Sequence, residues 1–414
     1  MMSLLVAGMC CLLMGFGSVT VVHAAQADVQ TDTGNSFKAE EYLSAYYGVE
    51  PGQDMTLQYV NGMIEALGGE KIEGETLSDG AVVMAGLKLA ELDELAQSYI
   101  NEASPDKAYR VLEGSGISTE AEYAPYVACA VDLELYGKDQ PFDIKSFFYQ
   151  CLEISGRGRR YIGRVSDDDL MEELRSRLDG MIIFDSDELS EVGTVLLLEG
   201  TVTGFGIKYS GFDAHFLDSY TLKYSHSDYR HVVQLVGLLR SEGIDAYIQV
   251  EPKVSVYEYR LEWGTPAGNS PTYAIRLIEQ NRYLCYSVEY DLMIEFDTAE
   301  DKERFHGLIE AYAKKYDDRV GPLGNVTAKL LAGSWWQPLY SSATPMQNEE
   351  YQPMIENVIY DKAGMYSLHT FTLPEDAPAV AEVVARTAPE LNMSAIEINV
   401  NPAFVRYVTG EDHQ

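Results

Sequence analysis

The sequence predicts an α+β protein, in which a small all-helical N-terminal module precedes an α+β domain built on a mixed or antiparallel sheet. Three observations predict it. Residues 28–154 carry apolar side chains at three- and four-residue spacing, broken by Gly and polar turns, with few strand signals. Residues 166–414 alternate β-branched and aromatic runs with helical stretches. Between them, Ser155-Gly156-Arg157-Gly158-Arg159-Arg160-Tyr161-Ile162-Gly163-Arg164 sets Arg among glycines, which marks residues 155–165 as a linker. That linker either pairs with the acidic first module or offers a strip to an anion.

Residues 1–27 hold no Asp, Glu, Lys or Arg, and Leu4 to Phe16 is an apolar run. Val22-His23-Ala24 and Ala25-Gln26-Ala27 each place small residues where a signal peptidase needs them. Residues 1–27 are therefore expected to be a signal peptide, and the mature protein to be secreted or associated with the cell wall. Cleavage takes Cys10 and Cys11 away. Cys129, Cys151 and Cys285 remain, too sparse for a disulfide framework. Cys129 and Cys151 either pair or serve, like Cys285, as small apolar core residues. Residues 28–37 are polar and turn-rich and read as a flexible tail.

In the first module, Thr56 to Leu67 is an amphipathic helix stopped by Gly68-Gly69. Asp79-Gly80 opens a second helix, Ala81 to Ala96. Ser104-Pro105-Asp106 opens a third, with Ser at the cap and Pro in the first turn. Pro125 to Leu135 and Ile144 to Ile154 follow. Residues 28–155 contain 24 Asp and Glu against 7 Lys and Arg, the composition of a solvated face.

In the second half, Ser166-Asp167-Asp168-Asp169 caps a helix that runs to Leu178. Strands are expected at Met181 to Phe184, Thr201 to Tyr209, Ala246 to Val250, Val254 to Leu261, Tyr283 to Phe296, Ser367 to Leu373 and Ala395 to Val400. Helices are expected at Tyr229 to Glu242, Thr298 to Lys315 and Ala377 to Ala388. A subdomain break is expected near 316–345.

Of the 414 residues, 65 are Asp or Glu and 30 are Lys or Arg, a formal net charge of −35. This argues against nucleic acid as a partner, because phosphates must be met by clustered cations. A hydrophobic fraction of 46% argues against a disordered chain. No apolar run beyond the N-terminus reaches the roughly 20 residues of a membrane span.

Tyr126-Val127-Ala128-Cys129-Ala130-Val131-Asp132-Leu133-Glu134-Leu135-Tyr136-Gly137, then Pro141-Phe142-Asp143 and the helix to Leu152, resemble S-layer homology modules. Thr56 to Leu67 looks like the second helix of such a module. The resemblance implies attachment to a cell-wall polymer. That family's Thr-Arg pair is absent, since Leu57 follows Thr56, so no binding residue carries over. Leu238-Leu239-Arg240-Ser241-Glu242-Gly243-Ile244-Asp245-Ala246 is similar to the helix-to-strand step of transglutaminase-like domains. Counting back along that helix reaches Ser227-Asp228-Tyr229, without the catalytic Cys.

Few motifs speak for a reaction. His226 and His231 lie five apart, which fits neither one helix face nor a zinc helix. Cys285 sits in an alternating strand pattern, which suits a core residue better than a nucleophile. There is no G-x-S-x-G, Walker loop or G-x-G-x-x-G, and Gly204-Phe205-Gly206 is too short to count. No cofactor and no metal site is expected. The candidate ligand-binding residues are Trp335, Trp336, Gln337 and Tyr340, because aromatic faces beside an amide stack on sugars or seat peptides. Together these features favour an exported envelope or surface protein with a non-enzymatic attachment or recognition role, its partner a cell-wall polymer, surface glycan or peptide. The rival is a secreted hydrolase of peptides or glycans using carboxylates.

Overall fold

The computed structural model describes residues 31–52, 54–101, 105–139, 141–226, 228–266, 268–279, 281–312, 339–347 and 351–410. The N-terminal region is helical: α1 (Thr31–Tyr47), α2 (Leu57–Ala66), α3 (Asp79–Leu89), α4 (Asp93–Gln97), α5 (Lys107–Ser115), α6 (Ala124–Asp132) and α7 (Ile144–Ile154). Local chemistry sets their limits. Thr56 and Asp143 cap α2 and α7 by accepting backbone N–H bonds, and Gly116 ends α5 at φ +67°. The expected tail over 28–37 is corrected from Thr31 onward, where the backbone is already helical. Tyr42, Leu43, Ile64, Leu87, Phe148, Cys151 and Leu152 are fully buried between these helices. Cys129 and Cys151 are both free buried thiols.

The second region contains α8 (Leu170–Asp179), α9 (Asp187–Leu198), α10 (Tyr229–Ser241), α11 (Ala299–Tyr312), α12 (Ala377–Thr387) and α13 (Pro402–Val408). Its strands are β1 (Gly163–Arg164), β2 (Gly204–Tyr209), β3 (Thr221–His226), β4 (Ala246–Tyr259), β5 (Tyr273–Glu279), β6 (Arg282–Phe296), β7 (Tyr340–Ser342), β8 (Gln352–Tyr360), β9 (Tyr366–Thr372) and β10 (Asn392–Val400). Eight of them close on themselves in the order β4-β2-β9-β8-β10-β7-β3-β6, with β6 pairing back to β4. Every pairing is antiparallel. β1 and β5 are appended to β4 and β6. The ring is thinnest at β7, which pairs over two residues with each neighbour.

The expected helical module beside an open mixed or antiparallel sheet is therefore corrected: this is an α+β protein organised around a closed antiparallel barrel. The physical reason lies in β4 and β6, which run 14 and 15 residues and pair from Ala246↔Phe296 to Tyr259↔Tyr283. A pair that long must twist and coil, and closure then satisfies the edges. The Pro252 that separates two expected strands sits inside β4, between the stretches paired to β1 and to β2, where that edge has no partner to lose. The expected strand at Met181 to Phe184 is absent.

The helical region also does not stand apart. The Tyr46 hydroxyl donates to the Phe216 carbonyl at 2.6 Å, and Leu217 and Tyr220 join the helical core. Arg159 is buried against Glu295 at 2.6 Å and also meets Glu153 on α7. No helix among the described residues is long and apolar enough to cross a membrane.

Alternation along the strands decides what faces where. Leu222, Tyr224, Ile248, Val250, Leu292 and Ile294 point outward and are covered by α8, α10 and α11. Phe205, Ile207, Val254, Val256 and Leu368 point outward under α9 and α12. The intervening residues point into the lumen, and many are charged.

Candidate functional site

The lumen-facing positions of β2, β3, β4, β6, β8 and β9 include Lys208, Lys223, Glu251, Lys253, Glu289, Asp291, Glu356 and His369. Burying so many charges is tolerable only if they are paired or reached by water. Both conditions hold. Asp291 takes the Lys253 ammonium at 2.8 Å and that of Lys208 on its other oxygen, and accepts from the Ser225 hydroxyl at 2.8 Å. Burial pushes the Asp291 carboxyl up, but Lys208, Lys253 and Lys223 outweigh it and hold it well below the usual carboxylate range. Ser255 donates to Glu289 at 2.6 Å.

A second cluster joins β8 and β9. The His369 Nδ1 lies 2.7 Å from Glu356 Oε1, and its Nε2 lies 2.8 Å from Ser367 Oγ. Ser367 and His369 share a face because they are two apart on one strand. Burial pushes the Glu356 carboxyl up, yet Lys223 and His369 hold it well below the usual range. Burial and the Lys208 ammonium lower the His369 pKa, so its ring is neutral near pH 7. An ionised carboxylate only accepts, so Nδ1 carries the hydrogen donated to Glu356, and Nε2 accepts from the Ser367 hydroxyl. Gly206 stands opposite His369 on β2 and fills none of the space in front of it.

Two cavities meet at this waist. The smaller, about 100 Å³, is closed off by Phe404, Tyr407 and Val408 of α13. The larger, about 400 Å³, is lined by Tyr46, Phe212 and Phe216, by the exposed Asp213 and Asp218, and by Lys208, Lys223, Glu251, Ser367 and His369. Among the described residues, Lys223 and Glu251 face it without an ion pair or hydrogen bond of their own. The field of Glu356 raises the Lys223 pKa, so this lysine stays charged. Burial pushes the Glu251 carboxyl up to about 7 against the opposing pull of Lys208 and Lys223. A wider groove of about 1010 Å³ lies outside the barrel beside α8, but its Glu172, Glu173 and Arg177 are solvated surface groups.

The expected ligand residues Trp335, Trp336 and Gln337 lie outside the described residues. Tyr340 is fully buried in β7, beside His306, in the core between barrel and helices. His226 and His231 meet each other at 3.0 Å through their Nδ1 atoms. Cys285 is buried near Tyr257 and Tyr273, and burial raises its thiol pKa. Sequence reasoning overlooked the lumen residues. The available signal was polar alternation in Lys208, in Glu251-Pro252-Lys253-Val254-Ser255 and in Glu289-Tyr290-Asp291, which also describes the wet face of an open sheet.

Comparison with protein-family models, with curated proteins and with solved structures gives no match to this chain.

Proposed function

We propose that this is an exported recognition protein whose barrel lumen takes a small zwitterionic solute of the amino-acid or short-peptide class. The carrying observation is Lys223: a charged ammonium facing a cavity of about 400 Å³ with no ion pair or side-chain hydrogen bond among the described residues, while Lys208 and Lys253 are both engaged by Asp291. A solute carboxylate reaching Lys223 supplies the direct ion pair that the more distant Glu356 does not make. Glu251 in its protonated form donates a further hydrogen bond. The exposed Asp213 and Asp218 suit an ammonium group at the other end of the same molecule. The charge-free segment 1–27 supports export.

Calorimetric titration with alanyl-alanine, with glucose as a neutral control, tests this. Alanyl-alanine binds and glucose does not. Lys223→Met costs about 2 kcal/mol, roughly a thirtyfold loss, the worth of one charged hydrogen bond. Equal affinity in Lys223→Met, or no binding of alanyl-alanine, overturns the proposal. The S-layer-like helix pattern supports a separate attachment role for residues 28–154. Sedimentation with purified cell walls, with and without calcium, tests it, and a protein that stays in the supernatant in both conditions ends it.

A further inference from the structure

A serine and a histidine two apart on a strand touch by register alone, so their contact by itself carries no chemistry. The third member changes this. Glu356, on the neighbouring strand, fixes the Nδ1 hydrogen of His369 at 2.7 Å and leaves Nε2 aimed at Ser367 Oγ at 2.8 Å. Both Ser367 and His369 line the cavity of about 400 Å³ that Tyr46 also lines. Nucleophile, base and orienting carboxylate thus stand in the order that acyl transfer requires, on three positions of two rigid strands.

We infer that Ser367, His369 and Glu356 form a hydrolytic relay in the lumen, acting on an ester or peptide bond of the small solute held there. This rests on the recognition proposal above for its substrate class. Ser367 Oγ attacks the carbonyl carbon, forming a C–O bond as its proton passes to His369 Nε2. The tetrahedral intermediate collapses, the bond to the leaving alcohol or amine breaks, and His369 returns the proton to that group. Water then attacks the acyl-serine through the same histidine, releasing a carboxylic acid and restoring Ser367. The net change is addition of one water across one acyl bond, and nothing else is consumed. The oxyanion develops beside Lys208, directly opposite Ser367 across the β2–β9 pair, whose ammonium keeps donors beyond the one spent on Asp291. Ser367 and His369 are the catalytic residues in this scheme, and Glu356 is a positioning residue that acts through His369.

The test uses the full chain and two probes. Diisopropyl fluorophosphate should form a phosphoryl ester on Ser367, seen by peptide mass spectrometry, as the P–F bond breaks and fluoride leaves. Ser367→Ala gives no adduct at that peptide. His369→Asn slows labelling at least about hundredfold, the usual worth of a general base. Glu356→Gln slows it at least about tenfold. Glu356→Gln also moves the rising limb of the pH profile to lower pH, because the carboxylate raises the His369 pKa while burial, Lys208 and Lys223 lower it. A purely structural glutamate leaves that limb in place. Alanine release from alanyl-alanine, followed by NMR, should occur in the wild type and vanish in Ser367→Ala. Thermal melts check folding, and if His369→Asn unfolds, the other two variants decide. No adduct, or labelling at the wild-type rate in the variants, overturns the relay, and so does an adduct on a protein that binds alanyl-alanine without releasing alanine. If the relay fails while alanyl-alanine still binds, the recognition proposal stands. If Ser367 is labelled while alanyl-alanine neither binds nor is cut, the zwitterion proposal fails instead.

Discussion

The helical region and the barrel solve opposite problems with the same amino acids. The helices of the N-terminal region turn apolar side chains such as Tyr42, Phe148 and Leu152 inward and present carboxylates such as Glu65, Glu94 and Glu113 to water. Over β2, β3, β4 and β6 the barrel turns its apolar side chains outward under five helices and keeps charges inside, whereas Met354, Phe371 and Ile398 of β8, β9 and β10 pack inward against Phe404 of α13. The difference teaches that burial alone does not say which way a strand faces. Where a helix covers the outer wall, the outside becomes the dry side and the lumen beneath it takes the polar residues.

Three variants press on that contrast, from the largest effect to the smallest. Phe148→Ala should destabilise the helical region by about 4 kcal/mol in denaturant unfolding, because a fully buried ring leaves a cavity. A cost under about 1 kcal/mol, that of a surface change, would mean the helical core is not the dry one. Asp291→Ala should cost about 3 kcal/mol, because the Lys208 and Lys253 ammonium groups lose their shared counter-ion. Adding Lys253→Met should recover part of that loss. A double variant no more stable than Asp291→Ala alone would show that these charges are fully hydrated.

Glu251→Gln makes the smallest change and the most specific one. The folded-state pKa of Glu251 is raised to about 7 from an ordinary carboxylate value, so the native state holds its proton longer than the unfolded chain does. Wild-type stability should therefore fall as pH rises from about 4.5 through 7, and Glu251→Gln should flatten that window. Affinity for alanyl-alanine should weaken over the same range as Glu251 ionises beside Asp291, Asp213, Lys208 and Lys223. Identical pH profiles in the two proteins would remove Glu251 from the site.

Local signals made much of the first region legible. The three- and four-residue apolar spacing placed helices over Thr56 to Leu67 and Ile144 to Ile154, where α2 and α7 stand, while their caps at Thr56 and Asp143 were not read from it. Closure was not legible, because no local pattern says that β6 returns to β4 across 14 register pairs. Nor did the spacing of Lys208, Lys253, Asp291 and Glu356 reveal a cluster, since these residues come from four strands far apart in the chain. Only Ser367 and His369 were close enough to be paired by eye. Their third partner, Glu356, lies 13 residues earlier on the neighbouring strand.

The most direct measurement is NMR of the lysine side-chain nitrogens during titration with alanyl-alanine. The Lys223 Nζ signal should shift and saturate, while Lys253, held by Asp291, and exposed Lys71 stay nearly fixed. A Lys223 signal that does not move, or that moves no more than Lys71, would contradict the claim that the barrel lumen is where this protein meets its ligand.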